Sequence, residues 1–432
     1  MSQSIKNRGW SVTFAGTGIN LALGILYTWS IFKNAIQQSI ETGGPDAFNW
    51  SIASLNDPYA VCCLVFAFLM IVAGRCQDRF GPRITACIGG ILVGLGFIWI
   101  SQTTGYASWI IGFGVLAGTG IGFGYAAATP PALKWFPPAK TGLITGLVVS
   151  GFGLASVYIA PLSQYLLEIW GLQKAMLFFG ITFLIVVCGL SMLLVNPPPE
   201  HKSEGVAPEA GTTNSTATAQ QDYKALEMMK TRTFYTLWFI YFIGAGAGLM
   251  VIGSVAGMAK HSMGEMAFLV VAIMAVGNAG GRIAAGIVSD RIGRSLTLTV
   301  MLTFQTLLML VSIPFMGSED SSAIILVLLA TFIGFNYGTN LSLFPSFTKD
   351  LWGMKNFGTN YGIVFTAWGV GGFVMGRLSQ TLHAKTGSYT TSFLAAAILL
   401  IIGALLTFTL KSGKADNAHI PKSAALSHGG SK

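Results

Sequence analysis

The stretch Gly277-Asn278-Ala279-Gly280-Gly281-Arg282, continuing through Gly286-Ile287-Val288-Ser289-Asp290-Arg291-Ile292-Gly293-Arg294, decides how this chain is read. From Met266 onward the sequence is almost wholly apolar, and Arg282 arrives before that run has ended. A helix rises about 1.5 Å per residue, so Arg282 lies on the order of 12 Å inside the turn at Asp290. In a hydrocarbon layer roughly 30 Å thick, that depth is near the midplane. A guanidinium there costs roughly 2.5–3.5 kcal/mol on insertion scales, so it faces an interior cavity and needs a partner. Asn278, four residues earlier, shares its helical face. The partner is either a backbone carbonyl or buried acid of the chain itself, or a carboxylate brought by a ligand.

Composition bounds the rest. A chain of 432 residues with 53% hydrophobic and 9% charged residues departs from soluble proteins, in which about a quarter are charged. Apolar runs of spanning length fall near residues 11–34, 57–75, 84–103, 107–130, 141–167, 174–195, 233–259, 266–287, 296–316, 322–345, 359–382 and 388–410. The expectation is an all-α membrane protein of twelve transmembrane helices. The net charge of +9 follows topology rather than nucleic-acid binding: most of the 25 Lys and Arg fall on one side of these spans. That asymmetry places both termini in the cytoplasm and the chain in the cell (inner) membrane. The five cysteines suit neither a disulfide framework nor metal-ligand spacing and read as small apolar packers. No cofactor and no metal site is expected.

The chain repeats itself. Gly74, Asp78, Arg79 and Gly81 recur as Gly286, Asp290, Arg291 and Gly293, all four pairs at one constant spacing. Gly146 and Gly153 recur as Gly362 and Gly369 at a spacing only slightly longer. Two parallel halves of six spans follow, a known transporter plan. The expected division is an N-terminal six-helix bundle over residues 1–196, a cytoplasmic linker over 197–230, a C-terminal bundle over 231–410 and a disordered tail over 411–432. Residues 222–232 read as a short surface helix. In span 1, Trp29 and Lys33 read as interface anchors in preference to cavity lining. Glycine stripes such as Gly114-x-x-x-Gly118-x-x-x-Gly122, or Gly244, Gly246 and Gly248, read as close-packing helix surfaces rather than phosphate loops.

The Gly-x-x-x-Asp-Arg-x-Gly turn resembles the signature of the major facilitator superfamily. The resemblance implies the major facilitator fold, with Asp78 and Asp290 capping neighbouring helices and Arg75, Arg79, Arg291 and Arg294 bridging the halves as gating residues. A narrower resemblance, to the oxalate–formate antiporter family and its monocarboxylate transporter relatives, covers nearly the whole chain. It is carried by Lys134-Trp135-Phe136-Pro137-Pro138, Gly142-Leu143-Ile144-Thr145-Gly146, Gly244-Ala245-Gly246-Ala247-Gly248-Leu249-Met250 and Asn356-Phe357-Gly358-Thr359-Asn360-Tyr361-Gly362. In oxalate exchangers an Arg in span 8 and a Lys in span 11 hold the two substrate carboxylates. Arg282 matches the first, the aromatic cage falls on Tyr27, Tyr125 and Tyr337, and the Lys position falls on Trp368. The Asp that precedes the span 8 Arg in animal monocarboxylate transporters is here Asn278.

All sixteen acidic residues fall in loops or at span ends, which leaves Arg282 without an acid at its own depth and the spans without a carboxylate proton relay. A lone buried cation suits one substrate carboxylate. The expected function is a monocarboxylate transporter, for lactate- or pyruvate-like acids, working by proton-coupled symport and alternating access. The expected substrate-binding residues are Arg282, Asn278, Tyr125, Tyr337, Tyr27 and Trp368. An organic anion exchanger of the oxalate/formate type is the alternative; a non-transporting membrane sensor ranks lower. An enzyme is not expected, for no nucleophile–base pair or paired carboxylates lie in the spans. The expected partners are a small-molecule carboxylate, protons and the lipid bilayer, with no nucleic acid, around a monomer.

Overall fold

Within hydrocarbon a backbone amide has no water to pair with, so an apolar run of this length satisfies itself as helix. A computed structural model describes residues 7–44, 47–198, 222–263, 267–315, 322–386 and 388–410. The middle of the expected linker and the expected tail lie outside these residues. Span 1 runs as Gly9–Leu23, tightens to a 3₁₀ turn at Gly24–Thr28 and resumes as Trp29–Thr42. Spans 2 and 3 are Asp57–Phe80 and Pro82–Ile100. Span 4 begins at Tyr106–Trp109, passes through π-helical turns at Ile110–Ala117 and continues as Gly118–Trp135. Spans 5 and 6 are two helices that follow one another directly over Thr141–Ser191, separated at Gly171, where φ is 74° and the backbone leaves the helix. After the short helix Ala225–Met229 come span 7, Arg232–Met263, and span 8, Ala267–Ile292. Spans 9 to 12 are Arg294–Ser312, Ala323–Trp352, Phe357–Thr386 and Thr390–Thr407.

The repeat seen in the sequence is repeated in the backbone. Gly81 and Gly293, equivalent positions of the repeat, end spans 2 and 8 with φ of 87° and 91°. This is a left-handed turn that a Cβ would oppose. Across the halves, span 2 packs on span 11 and span 5 on span 8. Both contacts bring glycine backbone against glycine backbone: Gly74 meets the Gly358 carbonyl, and Gly142 and Gly286 meet each other's carbonyls. All four lie at the end of the bundle that bears the Gly-x-x-x-Asp-Arg turns, here the motif end. Closing the halves there needs a surface without side chains. The span 4 stripe works the same way inside one half: Gly114, Gly118 and Gly122 lie against Val61, Cys62 and Phe66 of span 2.

Two expectations are revised. Span 1 extends to Thr42 rather than stopping near residue 34. Trp29 is not an interface anchor: it is 4% exposed and packs on Phe113 and Trp109 at ring distances of 4.6 and 6.3 Å. The break at Gly24–Thr28 rotates the following turn, which carries the indole inward.

Candidate functional site

Arg282 has no accessible surface. Its Nε donates to Asn278 Oδ1 at 2.9 Å, the one-turn contact that the helical period predicts. Its Nη1 donates to the carbonyl of Val149 on span 5, in the other half of the molecule. Its Nη2 makes no hydrogen bond of good geometry, although the Tyr27 hydroxyl lies close to the guanidinium. Span 5 approaches closely because Gly146 and Gly153 face the Arg282 backbone and guanidinium. The chain therefore supplies neutral acceptors, and no acid among the described residues forms an ion pair with Arg282. A fully buried guanidinium held in place, charged, with an open nitrogen, is arranged to take one more acceptor.

Around it stand aromatic rings from both halves. The hydroxyls of Tyr27 and Tyr337 share a hydrogen bond of 2.8 Å, and Trp368 Nε1 donates to the Tyr337 hydroxyl, also at 2.8 Å. The 3₁₀ turn in span 1 aims Tyr27 at this partner, and Gly248 makes room for the Tyr337 ring. Tyr125 joins from span 4 through Phe66, Phe152 and Phe365, with ring centroids 5.5–5.6 Å away. Phe66 and Phe365 also pack on Trp368, at 5.3 and 5.0 Å. All six expected binding residues are thus gathered into one cluster. Val149, Phe66, Phe152 and Phe365 were not anticipated.

The repeat holds a signal for most of these. Tyr337 follows Tyr125 at the same spacing as Asp290 follows Asp78, and Trp368 follows Phe152 as Gly369 follows Gly153, so the aromatic walls are pseudo-symmetric. The charge is not. The first-half equivalents of Arg282 and Asn278 are Met70 and Phe66. The N-terminal half offers an apolar face and the C-terminal half one cation with its amide.

At the motif end, the two halves are tied by carboxylates. Asp78 accepts from the backbone N–H of Gly358 and Thr359 at 3.0 and 2.8 Å and from the Thr359 hydroxyl at 2.9 Å. Asp290 accepts from the N–H of Gly142 and Leu143 at 2.8 and 2.9 Å. Each acid caps the first turn of a span in the opposite half, where free amides and the helix dipole favour negative charge. Arg294 stays within its own half, with Asp290 at 2.6 Å and Asp350 at 3.0 Å. Arg75, Arg79 and Arg291 are exposed, and Arg79 lies over the Phe80 ring. The expected bridging by arginines is thus carried here by Asp78 and Asp290. Lys349 adds a tie that was not anticipated, donating to the Thr141 hydroxyl at 2.6 Å across the halves.

Among the described residues, apolar helices in two pseudo-symmetric bundles, closed on each other at one end around a buried cation, define a multi-pass membrane transporter. The chain belongs to the Major Facilitator Superfamily, whose family model matches residues 9–376. It is 29% identical to an uncharacterized MFS-type transporter, YhjX, of Escherichia coli (strain K12), over 86% of this chain and 88% of that one. It is 26% identical to the oxalate:formate antiporter of Oxalobacter formigenes, over 94% and 92%. With human monocarboxylate transporter 11 it shares 27% over 92% and 82%. Among solved structures, a double-tryptophan mutant of XylE superposes with a TM-score of 0.73 at 15% identity, over 94% of this chain and 97% of that one. FucP in its outward conformation gives 0.65 at 16%, over 93% and 98%. These two share the fold.

Proposed function

We propose that the chain carries small monocarboxylates, lactate- or pyruvate-like, together with a proton, by alternating access through the cell membrane. The carrying observation is the open Nη2 of a fully buried Arg282 with no acid paired to it among the described residues. A carboxylate is the acceptor that both neutralises this charge and completes its hydrogen bonds. Asn278, Tyr27, Tyr125 and Tyr337 orient the anion, and Trp368 shapes the cage. The resemblance to oxalate exchangers implies that Trp368 occupies the position of their second cation, so a second carboxylate on the substrate would be buried without a partner, at a cost of several kcal/mol. That favours a monoanion.

The sequence places no acid at midspan, so the proton travels with the bound carboxylate rather than on a side-chain relay. The excess of Lys and Arg at the motif end supports a cytoplasmic placement of that end and of both termini. Asp78 and Asp290 hold the cytoplasmic end shut while the substrate enters from outside, and the carrier works as a monomer. Uptake of labelled L-lactate into proteoliposomes tests this. An inwardly directed proton gradient is expected to drive accumulation; Arg282→Gln is expected to abolish it while the protein stays folded. Equal uptake with and without the gradient would end the symport reading, and normal uptake by Arg282→Gln would end the site assignment.

The similarity to an oxalate:formate antiporter supports a second reading, exchange of organic anions. It requires that labelled anion move only against a preloaded anion, with no effect of pH.

A further inference from the structure

Three phenols lie beside the Arg282 cage without belonging to its hydrogen-bonded chain. Tyr125 from span 4, Tyr241 from span 7 and Tyr361 from span 11 all pack around one ring, Phe365, at centroid distances of 5.5, 6.3 and 5.7 Å. They are 3%, 0% and 4% exposed. None of their hydroxyls has a well-aligned partner; the Tyr361 hydroxyl comes within hydrogen-bonding reach of those of Tyr125 and Tyr241, so the three have chiefly one another. Buried hydroxyls are almost always well paired, so three convergent ones left short of partners on a transport axis call for an acceptor that comes and goes. Their rings are fixed: Tyr241 stacks on Phe344 at 3.9 Å and Tyr361 on Phe357 at 5.8 Å.

The position matters as much as the chemistry. Tyr361 is seven residues from Trp368 toward the motif end, about 10 Å along the helix. One turn further on, Gly358 and Thr359 hold the Asp78 carboxylate. Tyr361 therefore lies between the cage and the closed end, with Tyr241 beside it across Phe365 and Tyr125 meeting the same ring from the cage wall.

We propose that Tyr241 and Tyr361, together with Tyr125 shared from the wall of the Arg282 site, form a second carboxylate-binding station, which the substrate occupies between leaving the guanidinium and reaching the motif side. The identity of the traffic rests on the monocarboxylate reading above; the station rests on the phenols. Phenol O–H groups donate to the carboxylate oxygens and replace the water the anion has lost, so no charged residue is needed on this stretch.

The test uses Tyr241→Phe combined with Tyr361→Phe, which keeps the ring stacking and removes two donors. With labelled L-lactate, equilibrium binding is expected to stay within about twofold, because the Arg282 contacts are intact. Maximal flux is expected to fall about tenfold or more, the usual scale for losing a donor to a charged group. A second arm does not depend on lactate being the substrate: Arg282→Gln protein is expected to retain weak saturable binding of labelled formate, and adding the two Phe substitutions is expected to remove it. Wild-type flux in the double variant, or flux and binding falling in proportion, would overturn the proposal. So would formate binding to Arg282→Gln protein that is absent or insensitive to the phenols. A wild type inert to lactate would instead end the choice of lactate as substrate, leaving the formate arm to decide the station.

Discussion

Replacing Asp78 by Asn isolates the force that holds the two halves shut at the motif end. The carboxylate accepts three hydrogen bonds from the first turn of span 11, at 2.8 to 3.0 Å. Asparagine keeps one oxygen and turns an N–H₂ toward donors that have no other acceptor. At least one charge-assisted bond is lost, worth about 1.5–3 kcal/mol, and with it the favourable charge at a helix N-terminus. The site is largely shielded from solvent, so a loss of about 2–3 kcal/mol is the working figure, a fall of about 30- to 150-fold in the ratio of closed to open motif ends. The assay is a spin-label distance between Phe80, at the end of span 2, and Lys355, before span 11, in a cysteine-depleted protein. Both residues are exposed and belong to opposite halves. The wild type is expected to give a dominant short distance and Asp78→Asn a large long-distance population. Asp290→Asn is expected to do at least as much, since it also strips Arg294 of its 2.6 Å partner. Unchanged distance distributions in both variants would refute the reasoning.

Arg282→Gln is expected to lower carboxylate affinity by at least about 100-fold, the scale of a buried charge-assisted pair, without lowering thermal stability; binding and melting curves check both. Trp368→Phe removes the donor to the Tyr337 hydroxyl. It is expected to weaken binding about three- to tenfold with turnover little changed, read from concentration-dependent uptake. Gly286→Ala would press a methyl into the Gly142 carbonyl and is expected to hold the motif end ajar, cutting flux about tenfold. Gly376→Ala, where nothing lies within 4 Å, is the matched control and is expected to transport normally; equal effects of the two would show that the glycine contact does not govern closure.

Much of this protein is written in one dimension. Hydrocarbon forces apolar runs into helix, so the spans follow from composition alone. The constant spacing between paired motif positions discloses two halves, because repetition survives in the residues that turns and close contacts demand, such as Gly81 and Gly293. Arg282 and Asn278 were legible as a pair because a helix places fourth neighbours on one face, whatever surrounds it. What the helical period leaves open is which faces meet. In spans that are apolar nearly all round, many helix pairings bury equal area, and the choice among them rests on backbone approach at glycines spread across the chain. So the Val149 carbonyl on Arg282 and the Tyr27–Tyr337 hydroxyl pair exist only once Gly74 has met Gly358 and Gly142 has met Gly286, while the transfer of Trp29 from interface to core and the gathering of Tyr241 and Tyr361 around Phe365 are decided by helix packing within each half. The charge that defines the site is local; the geometry that leaves it one open nitrogen is tertiary.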